Sequence, residues 1–262
     1  MTMDSIERQR KHFENISEIY FKARQTTNHL LLKDLMWSYF LQDKTSCFKD
    51  GLKVLEPMCG YAEGKKILEK HLNIQLDYEG FDYSEVLVKK VKEIDPSINI
   101  SHQDVTKFQT DKKYDLIILI GGLHHVPQYC QSVVKNLYEH LIPGGYFISM
   151  EPTQNNFLFR KIREFIYQKN PLFDAKTERA FNFAEYNQSF LSNGFTIIDQ
   201  IYPGLLSYVL YYNPDALPLL NVGNTRLVRS IFNLDKKFFR NILGKKLSFL
   251  SISIFQKPNL EN

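Results

Sequence analysis

The stretch Val54-Leu55-Glu56-Pro57-Met58-Cys59-Gly60-Tyr61-Ala62-Glu63-Gly64 decides the fold. A short apolar run ends on a carboxylate and passes through a glycine-bearing turn directly into a helical pattern. Glycine at such a turn lets backbone approach a ligand closely, and a carboxylate at a strand tip accepts hydrogen bonds from ligand amines or hydroxyls. The alternation continues outward. Strands are predicted near 53–57, 75–82, 97–101, 114–121 and 145–151, with helices near 61–73, 84–93 and 128–141. Repeated strand, helix, strand implies right-handed crossovers and a parallel sheet covered on both faces, a doubly wound α/β architecture. Ligands of such sheets bind beyond the carboxyl ends of the strands, so the strand tips are the residues to inspect.

Each tip carries a polar or glycine-bearing signal. The second strand closes as Gly80-Phe81-Asp82-Tyr83-Ser84, where Asp82 could accept both hydroxyls of a ribose or serve only as a helix N-cap. The third closes as Ser101-His102-Gln103-Asp104-Val105, where Asp104 could face an adenine amino group or remain a solvated loop aspartate. The fourth, near 114–121, leads from Tyr114 through Gly121-Gly122-Leu123-His124-His125-Val126-Pro127. The turn Leu141-Ile142-Pro143-Gly144-Gly145 then leads into a fifth strand ending at Glu151.

The flanks are helical before this region and irregular after it. Ile6, Phe13, Ile16 and Tyr20 share one helical face, and Leu31, Leu35 and Trp37 begin a second amphipathic stretch. Residues 1–50 are therefore expected to form an N-terminal helical lid. Residues 51–262 form the main domain, with insertions at about 153–178 and 203–245. A helix near 184–193 and strands at Phe195–Ile201 and Leu247–Phe255 would complete seven strands. The insertions hold Phe157, Phe159, Phe165, Tyr167, Tyr202, Tyr208, Tyr211 and Tyr212, which read as an aromatic cap over an acceptor pocket or as plain core. Lys236 to Lys246 is a basic run that could touch anionic lipid or a phosphorylated substrate, or simply face solvent.

Composition narrows the function classes. The 262 residues are 44% hydrophobic and 24% charged, which excludes a disordered or fibrous chain. A net charge of +4 is too small for a nucleic-acid footprint. Cys47, Cys59 and Cys130 form no Cys-x-x-Cys pair, so neither a disulfide framework nor a zinc site is expected, and a cytoplasmic location is. No run of apolar residues is long enough to span a bilayer. The chain combines 20 Phe and 15 Tyr with only 12 Gly, sparse for a nucleotide-binding fold.

The series of strand tips resembles the class I S-adenosylmethionine-dependent methyltransferases over about residues 50–200. Val54 to Gly64 is similar to the family's first motif, Asp82 to its ribose-binding acid, and Asp104 and Val105 to its adenine contacts. Asp115 to Pro127 is similar to its fourth-strand motif. The resemblance implies a Rossmann-like seven-stranded sheet and S-adenosyl-L-methionine as cofactor. It implies cofactor contacts from Glu56, Met58, Gly60, Asp82, Tyr83, Asp104, Val105 and Gly121, and from Tyr20 and Arg24 on an N-terminal helix folded over the site. Met58 and Ala62 stand where the family usually has glycine.

The expected activity is methyl transfer to oxygen, less readily nitrogen, of a small metabolite such as a phosphorylated or nucleotide-linked sugar. His125, then His124, are candidate general bases, and Glu151 a candidate for orienting the acceptor. No third metal ligand is visible beside the His-His pair, so no metal is expected. Two alternatives stand: an NAD(P)-dependent oxidoreductase, and an inactive cofactor-binding or membrane-surface partner protein. Against the first, Glu56 and Glu63 would repel a diphosphate. The oligomeric state is not written in the sequence.

Overall fold

A computed structural model describes residues 5–170, 174 and 177–259. Two helices, α1 (Ser5–Ala23) and α2 (Thr27–Leu41), precede the sheet. Then come β1 (Leu52–Pro57), α3 (Glu63–Leu72), β2 (Leu76–Asp82), α4 (Glu85–Ile94), β3 (Ile100–His102), β4 (Tyr114–Ile120), α5 (Cys130–Glu139) and β5 (Leu141–Pro152). The last third holds α6 (Phe157–Lys169), α7 (Phe183–Leu191), β6 (Thr196–Ile201), α8 (Leu206–Tyr211), α9 (Thr225–Asp235), α10 (Ile242–Leu247) and β7 (Leu250–Gln256). Among the described residues no helix is long and apolar enough to cross a membrane.

The strand order is β3-β2-β1-β4-β5-β7-β6. Chain order reverses between β1 and β4, so their carboxyl ends flank the crevice in which such sheets bind ligands. The sheet is mixed, not wholly parallel. The five strands β1 to β5 pair in parallel, but β7 runs antiparallel to both β5 and β6 and lies between them.

Both faces are buried, and the period of two shows which residue faces where. Val54, Leu116, Ile118, Ile148, Ile252 and Ile254 pack on one side with Trp37 and Phe40 of α2 and Leu68 of α3. Leu55, Ile117, Leu119, Phe147 and Phe255 pack on the other with Val134 of α5 and Phe190 of α7. Much of the aromatic content is core: Phe190 stacks on Phe255 at 3.9 Å, and Phe147 meets Phe190 edge-on at 5.1 Å. Of the expected aromatic cap, Tyr211 is buried in the core and does not line the cavity. Phe157 and Phe165 of α6 are exposed, while Tyr208 and Tyr212 line the central cavity. The side chains of Phe159 and Tyr167 lie outside the described residues.

Candidate active site

The strand tips open on one cavity of about 550 Å³, closed from above by α1 and by the segment after β6. Its floor is the turn from β1 to α3. Met58, Gly60 and Ala62 all have left-handed backbone, at φ 53°, 51° and 54°. Only glycine adopts that region without cost, and an alanine-type residue gives up roughly 1–2 kcal/mol there. The two residues that replace the family's glycines thus keep the glycine path. Hydrogen bonds hold the turn between and around them, two to β2 and one within the turn. Cys59 N–H donates to Phe81 O at 3.0 Å, Gly60 N–H to Asp82 Oδ2 at 2.9 Å, and Ala62 N–H to Cys59 O at 2.8 Å.

Glu56 lies beneath this turn. Its carboxylate accepts from Gly64 N–H at 2.8 Å, Lys65 N–H at 3.2 Å and Tyr78 O–H at 2.7 Å. A Cβ on Gly64 would sit 2.7 Å from the Glu56 carboxyl carbon, so this contact requires glycine. Burial outweighs these donors and pushes Glu56 up to about 7. The first N–H groups of α3 are therefore already occupied by a protein carboxylate. A dinucleotide's pyrophosphate, which binds at that helix end in oxidoreductases, finds those donors taken.

Asp82 divides its carboxylate between Gly60 N–H and Ser84 N–H, the latter at 2.9 Å. A carboxylate has about four acceptor sites, so capacity remains toward the cavity that Asp82 lines. Burial raises its pKa. Tyr83 lies beside it, with the Arg10 guanidinium 5.9 Å above its ring. Asp104 accepts from Thr106 N–H and O–H at 2.9 and 2.7 Å, which shapes the loop after β3 and sets Asp104 and Val105 on the cavity wall. Gly121, at φ 63°, is the opposite rim.

These residues fit S-adenosylmethionine. A Cβ on Gly60 would meet nothing within 4 Å, so the backbone there is bare toward the cavity. Carboxylates of Glu56, Glu63, Asp82 and Asp104 surround the cradle, a charge pattern suited to a sulfonium and an ammonium group.

Tyr20 and Arg24 close the far side. The Arg24 guanidinium lies 3.9 Å over the Tyr20 ring and 5.4 Å from that of Tyr212, donates to Asn213 Oδ1 at 2.9 Å, and stands 3.5 Å from Asp215 Oδ1. It joins α1 to the segment after α8. Desolvation, offset in part by Arg24, pushes the Tyr20 hydroxyl up to about 12.

The structure assigns Glu151 a task other than orienting an acceptor. It is fully buried, and its carboxylate accepts from Gly122 N–H at 3.0 Å, Leu123 N–H at 2.8 Å, His124 N–H at 3.2 Å and His124 Nδ1 at 3.0 Å. It pins the turn that presents the two histidines. Their rings lie 3.9 Å apart, and burial holds His125 well below the usual histidine range, with His124 and His12 adding to the effect.

Two partners of His125 escaped the sequence reading. Gln9 Nε2 of α1 is 2.6 Å from His125 Nδ1, and Glu178 Oε1 is 3.7 Å from it. Gln9 is a polar residue on the apolar stripe of Phe13, Ile16 and Tyr20, and that anomaly was its only signal. Glu178 stands in a patternless segment and had none. It corrects the expectation that no third ligand stands beside the histidines: His124, His125 and Glu178 bring ligand atoms within 4.8 Å of one another.

A family profile described as "Methyltransferase domain" matches residues 32–200. A demethylmenaquinone methyltransferase of Bacillus subtilis is 28% identical over 127 residues, which are 46% of this chain and 54% of that protein. The match thus spans about half the length of that curated relative. Among solved structures, a putative sarcosine dimethylglycine methyltransferase from Galdieria sulphuraria aligns with TM-score 0.59 at 14% identity, covering 87% of this chain and 86% of the other. A SAM-dependent methyltransferase from Archaeoglobus fulgidus aligns with TM-score 0.55 at 16% identity, covering 86% and 94%. At these identities the likeness to solved structures speaks for the fold alone. With the profile spanning more than half of its length, the chain belongs to the methyltransferase-domain family and carries the class I, S-adenosylmethionine-dependent form of that fold.

Proposed function

We propose that this protein transfers a methyl group from S-adenosylmethionine to an oxygen of a small, largely apolar acceptor. One observation carries the reading: the cradle of Gly60, Asp82 and Asp104 is continuous with a chamber lined by Phe13, Met150, Ile166, Tyr208 and Phe249, and His124 and His125 line the same space. Bound in the cradle, S-adenosylmethionine supplies a methyl carbon activated by positive sulfur. The protein's part is alignment, exclusion of water and handling of the acceptor's proton. Of the N-terminal segment, α1 and the residues up to His29 act as the lid, with Tyr20 and Arg24 over the cofactor, while the rest of α2 packs on the sheet. Glu151 fixes His124, and His125 is the group placed to take the acceptor's proton.

The lining argues against a phosphorylated or nucleotide-linked sugar. The cavity's arginines are committed. Arg10 pairs with Glu7 and Glu14, Arg24 with Asn213 and Asp215, and Arg163 donates to the carbonyls of Thr153 and Phe249. A hydroxylated aromatic or prenylated ring suits such walls better, and the Bacillus subtilis relative is named for demethylmenaquinone.

Calorimetry with S-adenosylmethionine, S-adenosylhomocysteine and NADH tests the cofactor, with binding expected for the first two only. Formation of S-adenosylhomocysteine is then followed with prenylated phenols and with nucleotide sugars. Binding of NADH alone would overturn the methyltransferase reading, and turnover with the sugars alone would overturn the apolar acceptor.

A further inference from the structure

The acceptor end of the cavity contains a buried carboxylate that, among the described residues, meets amide donors and imidazoles. Glu178 Oε1 accepts from the Gln9 amide at 3.1 Å and from Asp174 N–H at 3.4 Å, one ordinary contact and one long one. Imidazoles surround it. His125 Nδ1 is 3.7 Å away and His12 Nε2 3.9 Å, while the His124 ring lies 3.9 Å from that of His125, tilted by 37°. One ligand atom from each of His124, His125 and Glu178 lies within 4.8 Å of the other two, and all three residues line the cavity. Burying an ionised carboxylate is costly unless a cation or strong donors compensate it.

We propose that His124, His125 and Glu178 form a binding site for a divalent transition-metal ion. Two imidazoles and one carboxylate are the donor set of an open site, in which a further position is left for a ligand from solvent or substrate. Imidazole nitrogens select zinc, cobalt or iron over magnesium. The surroundings supply the supporting contact that such sites use. Glu151 Oε2 accepts from His124 Nδ1 at 3.0 Å, which puts the proton on that nitrogen and leaves the other ring nitrogen's lone pair for an ion. Tetrahedral zinc with bonds of about 2.0–2.2 Å needs its ligand atoms roughly 3.3 Å apart. The three side chains close that gap by torsion of Glu178 and His125, with Gln9 leaving the His125 Nδ1 that it contacts at 2.6 Å.

The catalytic consequence, unlike ion binding itself, rests on the methyl-transfer reading. An acceptor hydroxyl at the open position loses its proton to solvent more readily. The oxygen lone pair then forms the bond to the methyl carbon, while the electrons of the broken carbon–sulfur bond return to sulfur. In the ion-free chain His125 takes that proton, whereas in the ion-bound chain its lone pair is committed to the metal.

The experiment uses the full chain, stripped with a chelator and dialysed, then titrated calorimetrically with Zn²⁺ and, in parallel, followed by visible absorption with Co²⁺. One equivalent is expected to bind, to resist millimolar Mg²⁺, and to give a cobalt spectrum of low coordination number. Glu178→Gln and His124→Ala should each weaken Zn²⁺ by at least about tenfold, and S-adenosylmethionine binding in each variant reports that it is folded. Absence of Zn²⁺ binding in a wild-type chain that binds S-adenosylmethionine overturns the metal site and leaves the methyltransferase intact. So does undiminished Zn²⁺ affinity in folded Glu178→Gln. Stoichiometric Zn²⁺ without any S-adenosylmethionine binding instead overturns the methyltransferase reading and upholds the site.

Discussion

Glu151 Oε2 accepts both the backbone N–H and the ring Nδ1–H of His124, at 3.2 and 3.0 Å, from a fully buried position at the end of β5. One carboxylate therefore sets the path of the turn after β4 and the tautomer of its first histidine. Glutamine at this position has one acceptor oxygen for four donors, and its amide hydrogens face N–H groups. Glu151→Gln is expected to lose about 2–4 kcal/mol in urea denaturation. Its kcat should fall at least roughly tenfold with little change in S-adenosylmethionine affinity. A variant with wild-type kcat would show that the His124 orientation is immaterial.

Gly60 separates the needs of folding from those of binding. A Cβ there points into open space, yet φ is 51°. Gly60→Ala should cost only about 1–2 kcal/mol of stability while the added methyl enters the cradle and reduces S-adenosylmethionine affinity by more than tenfold. Calorimetry beside thermal melting checks both, and unchanged affinity would place the cofactor elsewhere.

The contact between Arg24 and Asp215 joins α1 to the segment after α8 in a setting where Asp215 is nearly inaccessible. Removing one partner of a buried pair strands the other charge, so Arg24→Met should cost about 3–5 kcal/mol. The double variant with Asp215→Leu should cost clearly less than the sum of the singles. Additive losses in the double-mutant cycle would mean that the two residues act independently. Deleting residues 1–25 should weaken cofactor binding for the same reason, because it removes Tyr20 and Arg24 from the cavity wall.

Glu56 should make stability fall with rising pH. Its folded pKa is pushed by burial from 4.5 to about 7, so between those values the folded state holds a proton that the unfolded state has released. The stability it contributes is fully present below about 4.5 and is lost as pH rises through about 7, a change on the order of 3 kcal/mol. Glu56→Gln is expected to be flatter than the wild type across this window in urea midpoints at pH 5 and pH 8. Parallel curves for the two proteins would contradict the shift.

The local part of this protein was readable from its residues. The apolar runs ending at Pro57, Asp82, Ile120 and Glu151 fall within the observed strands or at their ends, because parallel strands buried on both faces leave continuous Val, Ile and Leu signatures. The cradle residues followed, since a strand tip and its turn are adjacent in sequence. Even the departures Met58 and Ala62 were visible as substitutions, although only the fold showed that they keep positive φ.

What depends on distant segments meeting was hidden from the sequence. The antiparallel insertion of β7 between β5 and β6 has no local period that announces it. Tyr208, Tyr211 and Tyr212 read as possible pocket lining or core, and only the tertiary fold set Tyr208 and Tyr212 on the cavity wall and Tyr211 in the core. Gln9, Glu178 and His125 come from the first helix, a patternless loop and a strand tip, and the tertiary fold alone brings them into one polar cluster. Sequence determined the strands, the turns and the carboxylates at the strand tips, because those rest on neighbours in the chain. The chamber beside the cradle was decided by tertiary structure, because its walls belong to segments whose only relation is that they bury one another.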